Sequence, residues 1–205
     1  MNKVIIEINP VILPIILFIL AIRKSVLFSI FLKPVTNQLS NPFTLNKCIT
    51  LGICHFLKEQ LPNEKVSIKW PNDLLIGDKK FAGMIAQATN KGVVLGIGIN
   101  VGMSKEELPV ENATSLSLEG FSELDRNTIL AAIINHFEIN LEMWENDKSF
   151  LAEYRAASST IGNEVEVTLP DGEVIKSTAQ NISDTGALLL ANGREVTVGD
   201  VVHLR

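Results

Sequence analysis

The sequence predicts an α+β protein, with helices packed on a mixed or antiparallel sheet and a small β-barrel at the C-terminal end. Three observations support this prediction. Residues 69–101 alternate short apolar runs with tight turns, the stretches before and after them carry apolar side chains at helical spacing, and residues 161–204 alternate like strands without a helical period. We therefore expect an atypical apolar segment at residues 1–24, a main domain at 25–158 and a small domain at 159–205.

The central residues 69–101 are predicted to form three short strands folded back on one another. They begin with the polar and aromatic group Lys-Trp-Pro-Asn-Asp at residues 69–73. The apolar run that follows ends at Gly77 and Asp78, a turn pair suited to a two-residue hairpin. A second turn at residues 90–92 leads into the last strand.

Helices are predicted on either side of these strands. The first starts with Asn41 as N-cap and Pro42 at the first helical position, and it stops at Pro62. A long helix covers roughly residues 123–145, with apolar side chains three and four apart and Asp125 as a candidate cap. A shorter helix is expected near its end, at 150–157.

The C-terminal part is predicted to contain five short strands separated by turns. We expect them at residues 164–169, 174–182, 187–190, 195–198 and 201–204. Five short strands in so few residues fit a small SH3-like barrel. Because such a small domain buries too little surface to be stable alone, it should dock on the main domain.

The composition limits the classes of function. The chain of 205 residues is 46% hydrophobic, enough for a real core, and its net charge of −5 argues against non-specific nucleic-acid binding. Cys48 and Cys54 are six residues apart on a predicted helix, which does not suit a metal site and fits a reduced, intracellular, cytoplasmic protein. His55 and His136 are expected to be ordinary surface or packed histidines.

The last central strand has two unlike faces, because alternate side chains point to opposite sides. One face is apolar, with Leu95, Ile97, Ile99 and Val101. The other is nearly bare backbone, with Gly96, Gly98, Asn100 and Gly102. Since glycine weakens a strand, its repetition on one face suggests that a flat ligand lies against the backbone.

A lysine on the preceding strand could supply charge to such a ligand. Simple alternation predicts that Lys80 shares its face with small or flexible neighbours, namely Ala82, Met84 and Ala86. A glycine-faced strand, a nearby lysine and the polar corner at residues 69–73 together indicate a small-molecule anion site.

Each of these features also has an ordinary explanation. Most Gly-x-Gly strands bind no ligand, and this one lacks the turn-to-helix context of a dinucleotide fingerprint. A lysine near a turn is usually solvated, and Trp70 is more often a core residue than a stacking platform. The combination favours a site.

Three motifs, in this order and at these spacings, resemble the catalytic domain of biotin protein ligases. They are Lys-Trp-Pro-Asn-Asp at residues 69–73, Lys-Lys-Phe-Ala-Gly-Met at 79–84 and Gly-Ile-Gly-Ile-Asn-Val at 96–101. The resemblance extends from about residue 26 to residue 205. It implies a class II synthetase-like sheet and an SH3-like C-terminal domain. The Ala-Thr-Ser-Leu segment at 113–116 is also similar to a family segment near the ligand.

The resemblance implies a two-step reaction. In the family, ATP with Mg²⁺ activates biotin to biotinyl-5′-AMP, and a lysine of a carrier domain, such as that of acetyl-CoA carboxylase, then accepts the biotinyl group. By this resemblance Lys80 is the catalytic cation, with no protein metal ligand. The implied biotin-binding residues are Lys80, Gly83, Gly96 and Gly98. The implied adenylate- and ATP-binding residues are Lys69, Trp70, Asn72, Asp73 and Asn100.

The N-terminal segment departs from the family. There, a Gly-Arg-Gly-x-x-Gly loop that folds over biotin precedes the strand that residues 24–34 resemble, whereas here no glycine occurs before Gly52. The family's Ser-Thr-Asn segment of the biotin pocket is also absent. We expect that this segment has been replaced or truncated, or that the upstream reading frame differs. With no helix-turn-helix segment ahead of the domain, repressor function is not expected.

Three functions remain open from the sequence. The first is an active biotin ligase with a biotin carboxyl carrier domain as its partner, and the second is an inactive or weakly biotin-binding remnant. The third is a membrane-tethered domain, because residues 4–22 are almost wholly apolar, although Glu7, Pro10 and Pro14 argue against a membrane helix. Lipoate ligases share a similar fold, but the motif at 69–73 favours biotin. A homodimer is left undecided.

Overall fold

The computed structural model describes residues 2–4, 15–22, 24–33, 42–62, 65–121, 125–146 and 149–204. These residues form a seven-stranded antiparallel sheet, a five-stranded antiparallel sheet and three α-helices. The predicted fold class is confirmed.

The larger sheet takes five strands from residues 25–158 and two from the N-terminal segment at 1–24. Its strands are β1 (Asn2–Val4), β2 (Ile15–Ile22), β3 (Ser25–Leu32), β4 (Val66–Lys69), β5 (Asp73–Ile76), β6 (Lys79–Thr89) and β7 (Gly92–Asn100). They lie side by side in the order β1-β2-β3-β7-β6-β5-β4. The central strands predicted from the sequence are β5, β6 and β7.

Three α-helices in the described ranges accompany this sheet. They are α1 (Pro42–Gln60), α2 (Arg126–Asn146) and α3 (Ser149–Ala156). Helix α1 packs on the strands of the sheet, α2 packs on α1, and α3 contacts α2. Helix α1 contacts β4, β6, β7 and α2, because its apolar side chains recur at helical spacing and bury their face against the sheet. The predicted cap Asp125 is confirmed, since its carboxylate accepts hydrogen bonds from the backbone N–H groups of Asn127 and Thr128. The predicted cap Asn41 lies outside the described residues.

The smaller sheet forms the C-terminal domain. Its strands are β8 (Glu164–Thr168), β9 (Val174–Ile182), β10 (Leu188–Leu190), β11 (Glu195–Val196) and β12 (Asp200–His203). Their order is β11-β10-β9-β8-β12, and alternate side chains such as Val165, Val167 and Val201 are buried inside. The five strands therefore occur close to the positions that the turn pattern predicts.

The membrane-helix alternative for residues 4–22 is wrong for the part of that segment that the structure describes. Strand β2 pairs with β3 along its whole length, from Ile15 opposite Leu32 to Ile22 opposite Ser25. Within the described ranges, none of the helices has the length and apolar character that crossing a membrane requires. The remainder of the segment, residues 5–14, lies outside the described residues.

Candidate functional site

A cavity of about 740 Å³ lies on the face of the sheet opposite the helices. This volume is in the range of small-molecule sites. Strands β3, β5, β6 and β7, the corner that joins β4 to β5, and β12 of the C-terminal domain all contribute to its wall. Eight of the nine site residues predicted from the sequence line it: Lys69, Trp70, Asn72, Asp73, Lys80, Gly83, Gly96 and Gly98.

The glycine face of β7 forms part of the cavity floor, as its alternation predicts. Leu95, Ile97 and Ile99 are buried, and Gly96 and Gly98 line the cavity together with part of Ile97. A β-carbon built at Gly96 would meet its nearest neighbour, Ser29 Oγ, only at 3.9 Å. The protein itself therefore leaves room for a side chain at this position, and the space is open to a ligand.

Lys80 and Asp73 form an ion pair above the backbone of Gly83. The Lys80 Nζ lies 2.5 Å from Asp73 Oδ1. A β-carbon at Gly83 would lie 3.2 Å from both Cε and Nζ of Lys80 and 3.4 Å from Asp73 Oδ1. Glycine at this position lets the lysine lie flat across the strand, and the carboxylate fixes where the ammonium sits.

The face predicted for Lys80 is wrong, and the cause is a β-bulge. Opposite β5, Leu74 pairs with Ala82 but Leu75 pairs with Lys80, so Phe81 is an extra residue in β6. A bulge reverses the alternation of side chains along a strand. Consequently Phe81 and Ala82 are both buried. Lys80 lies on the face of Gly83, not on that of Ala82, Met84 and Ala86.

The corner between β4 and β5 is anchored on both sides. The Trp70–Pro71 peptide bond is cis. The Asn72 side-chain amide donates to the Met84 carbonyl, and the Met84 N–H donates to the Asn72 carbonyl at 3.0 Å. Trp70 is a core residue, only 2% exposed. Its indole N–H donates to the carbonyl of Gly186 at 2.9 Å and is already used within the protein.

Asn100 is the one predicted residue that does not line the cavity. Its side-chain amide donates to the Thr114 carbonyl at 3.0 Å. Thr114 in turn donates its N–H to the carbonyl of Lys80, while the Lys80 N–H donates to the carbonyl of Asn112. The segment 112–116 therefore holds the backbone of Lys80, and Asn100 contacts this segment rather than the cavity.

Two cavity residues from the C-terminal domain were missed by the sequence reasoning. Asp200 and Val201 at the start of β12 line the cavity beside the corner at residues 70–72. Nothing in the local pattern around them marks a site, because their position depends on how the two domains dock. They make the C-terminal domain part of the cavity wall.

Lys69 affects a histidine at the same junction. The pKa of His203 is lowered because its ring is partly buried and because the ammonium of Lys69 is nearby. The His203 ring lies 3.2 Å from the hydroxyl of Thr160, which also accepts the backbone N–H of Trp70 at 3.0 Å. This network joins the site's corner to the end of β12.

The histidines of the helices lie on the other side of the sheet. His55 is 3.5 Å from Glu153 and His136 is 3.6 Å from Glu59. In the part of the chain that the structure describes, no group of three or more histidine, cysteine or acidic side chains could hold a metal ion. The cavity wall combines the ion-paired Lys80, the glycines of β6 and β7 and the polar side chains of the corner at residues 69–73.

Comparison with known proteins matches both parts of this architecture. The profile of the Biotin/lipoate A/B protein ligase family matches residues 21–104, and that of the Biotin protein ligase C terminal domain matches residues 160–204. The Biotin–[acetyl-CoA-carboxylase] ligase of Mycobacterium tuberculosis is 42% identical over 149 residues, covering 71% of this chain and 56% of that protein. The Bifunctional ligase/repressor BirA of Escherichia coli is 34% identical over 139 residues, covering 64% of this chain and 43% of BirA.

Solved structures show the same fold. The apo biotin protein ligase of Aquifex aeolicus superposes with a TM-score of 0.76 at 24% identity, covering 88% of this chain and 83% of that one. The same ligase in complex with biotin and ATP gives a TM-score of 0.74 at 26% identity, covering 89% and 79%. The chain spans about half the length of the two curated relatives. The chain therefore contains, in order, a domain of the Biotin/lipoate A/B protein ligase family and a Biotin protein ligase C terminal domain.

Proposed function

We propose that this chain activates biotin with ATP and transfers it to a lysine of a biotin carboxyl carrier domain. The observation that carries the proposal is the ammonium of Lys80, fixed by Asp73 above Gly83 and beside the glycine face of β7. A fixed cation over a flat, open backbone surface suits a ligand that has a planar ring and a carboxylate.

The first step joins biotin to the nucleotide. A carboxylate oxygen of biotin attacks the α-phosphorus of ATP, the new O–P bond forms, and the bond to the bridging oxygen of pyrophosphate breaks. Negative charge grows on the phosphoryl oxygens during this displacement. Lys80 stabilises that charge, and because Asp73 already holds the ammonium in place, little reorganisation is needed as the charge develops.

The two halves of the cavity suit the two halves of the intermediate. We propose that biotin lies over Gly96 and Gly98, and that Asn72 contacts the adenylate at the other end, with Lys69 and Asp73 ordering this corner. Trp70 supports the corner from the core, since its indole N–H is bonded to Gly186. Asn100 acts indirectly in this proposal, through Thr114 and the backbone of Lys80.

Magnesium would enter with ATP. In ATP sites Mg²⁺ keeps several water ligands and is bound through the substrate phosphates and one or two carboxylates. The carboxylates that line the cavity, within the described ranges, are those of Asp73 and Asp200. We assign the ion no position.

The second step transfers the biotinyl group. The amine of the carrier lysine attacks the carbonyl carbon of the mixed anhydride, the C–O bond to AMP breaks, and the nitrogen loses a proton. Cys48 and Cys54 are buried and not joined in a disulfide, which fits a reducing compartment, and on that ground we propose that the reaction takes place in the cytoplasm.

The alternative is a protein that binds biotin without activating it, because the glycine- and arginine-rich loop of the family has no counterpart among residues 1–24. Biotin-dependent pyrophosphate release, measured with MgATP and hydroxylamine as a trap for the adenylate, separates the two. Pyrophosphate and biotinyl hydroxamate formed together support the ligase. Calorimetric biotin binding without either product supports the alternative, and products with lipoic acid only would contradict both.

A further inference from the structure

One loop of the C-terminal domain is held by the main domain through several side chains. This loop, residues 183–186, joins β9 to β10 and will be called the junction loop. Its own hydrogen bonds make it tight: the Ser183 N–H donates to the Ala187 carbonyl at 2.8 Å, and the Gly186 N–H donates to the Ser183 carbonyl at 3.0 Å. Gly186 has φ +96°, and a β-carbon there would lie 3.1 Å from Phe43. The loop is compact and packs closely against the main domain at Phe43.

Three donors from three elements of the main domain bind carbonyls in or next to the junction loop. Lys47 on α1 donates to the Asp184 carbonyl at 2.9 Å, and Arg155 on α3 donates to the Ile182 carbonyl at 2.7 Å. Trp70, at the corner of the cavity, donates to Gly186 at 2.9 Å. Three separate anchors on one short loop fix both its position and its orientation.

Lys47 is the unusual member of this set because its charge is buried. The residue is only 2% exposed, and burial lowers the pKa of its ammonium to about 8. The ammonium lies 4.9 Å from the centre of the Trp144 ring. Within the part of the chain that the structure describes, Lys47 forms no ion pair with a carboxylate. Its direct contacts are a carbonyl and a ring face, and the carboxylate of Asp184 attracts it only from beyond ion-pair distance.

Such a group contributes little to stability relative to an apolar side chain of similar size. Removing a charge from water is costly, and hydrophobic replacements of buried ionic groups are often neutral or stabilising. What the ammonium supplies is a directional bond at a fixed place. This points to positioning rather than to core packing.

The sheet of the C-terminal domain connects this anchor to the cavity. The junction loop follows directly on β9, β9 pairs with β8, and β8 pairs with β12. In this register Ile175 lies opposite Val167, and Val167 lies opposite Val201. Because a paired sheet moves as a unit, the placement of the loop sets that of Asp200 and Val201 in the cavity wall.

We propose that Lys47 is a positioning residue, which holds the junction loop and thereby keeps β12 in place as a wall of the ligand cavity. This inference rests on the proposed function, because the cavity is where ATP and biotin would bind. Lys47 touches neither ligand in this account. Its effect reaches them through the C-terminal domain.

The test compares Lys47→Met, which keeps the length of the side chain and removes its charge, with Lys47→Arg, which retains a cation. Lys91→Met, at an exposed turn, is the matched control. In Lys47→Met we expect an unchanged or higher melting temperature, amide hydrogen exchange at least about tenfold faster in residues 187–190 and 200–203, and a KM for MgATP raised about tenfold with a smaller change in kcat. In Lys47→Arg we expect both the hydrogen exchange and the KM for MgATP to stay close to the wild-type values. Trp144 contacts Lys47, and Trp70 is bonded to the junction loop at Gly186. Tryptophan fluorescence should therefore change in Lys47→Met and not in Lys47→Arg or Lys91→Met.

The outcomes separate this inference from the proposed function. An active wild-type protein whose Lys47→Met variant has unchanged exchange, or unchanged KM for MgATP, would contradict the positioning role. Equal loss of melting temperature in the methionine and arginine variants would show a packing role only, and would also overturn it. A folded wild-type protein that releases no pyrophosphate overturns the proposed function, and the inference about the cavity with it, whatever the exchange data show about the loop.

Discussion

The ammonium of Lys80 lies 2.5 Å from the carboxylate of Asp73 and rests on the backbone of Gly83. This arrangement depends on the bulge at Phe81, which turns Lys80 towards the cavity. A cation fixed before the ligand arrives stabilises developing charge more effectively than a mobile one, because it needs no rearrangement. We propose that this lysine stabilises the charge that develops while ATP activates biotin, and the other roles depend on it.

Replacing this lysine should abolish adenylate formation while leaving the fold intact. Lys80→Ala is expected to lower the rate of biotin-dependent pyrophosphate release by about 100-fold or more, as for other fixed stabilising groups. The matched control is Lys79→Ala, because Lys79 is the exposed neighbour, with its Nζ 4.0 Å from Glu119. Circular dichroism checks folding. Equal losses in the two variants, or full activity of Lys80→Ala, would rule out the assigned role.

A methyl group on the cavity floor should block the ligand without harming the protein. Gly96→Ala has room, since its nearest neighbour is 3.9 Å away, so we expect an unchanged melting temperature. Biotin would be held off the backbone, and its Kd, measured by calorimetry, should rise at least about tenfold. Gly102→Ala is the control, because Gly102 has no neighbour within 4 Å and does not line the cavity. Unaltered biotin binding by Gly96→Ala would show that biotin does not bind against this face of β7.

The stability of the protein should fall on acidification, in part through His203. Burial and the charge of Lys69 lower its pKa from the usual 6.5, so the unfolded chain takes up the proton more readily than the folded one. This contribution is fully present above pH 6.5 and is lost as the pH falls through the lowered value. The free energy of unfolding of His203→Gln should therefore fall less between pH 7.5 and pH 5.5 than that of the wild type. Identical falls would show that His203 is not responsible. Burial also lowers the pKa of His55, so His55 should contribute to the fall in the free energy of unfolding in both proteins.

The two cysteines should resist thiol reagents in the folded protein. Cys48 and Cys54 are fully buried, and burial raises the pKa of Cys54 to about 12, so little thiolate forms at neutral pH. Labelling with a chromogenic disulfide is expected to count no thiols under native conditions and two in denaturant. Rapid labelling of either cysteine without denaturant would contradict the described core.

Local sequence patterns were sufficient for most elements of the fold. Alternation along β7 and helical spacing along α1 and α2 reflect which face each element buries, and burial leaves a direct signal in the sequence. Strand β4 was not predicted, because its four residues are too short to show a period. Strand β2 was not predicted either, because its continuous apolar run is compatible with a strand, a buried helix or a membrane helix.

The site was harder to predict where it depends on long-range geometry. The face of Lys80 was predicted wrongly, since a single inserted residue at Phe81 reverses the alternation without any glycine or proline to mark it. Asn100 follows the glycine face along β7, but Thr114 holds its amide outside the cavity. Asp200 and Val201 could not be found at all, because the docking of the C-terminal domain brings them to the cavity. Side chains from distant segments, such as Lys47 and Trp70, hold that domain.

The most direct test of the proposed role of Lys80 is the intact mass of a purified biotin carboxyl carrier domain after incubation with this chain, biotin and MgATP. We expect a gain of one biotinyl group on the carrier lysine, absent when biotin or ATP is omitted and absent with Lys80→Ala. No gain from a folded, monodisperse wild-type chain, or the same gain with Lys80→Ala, would contradict it.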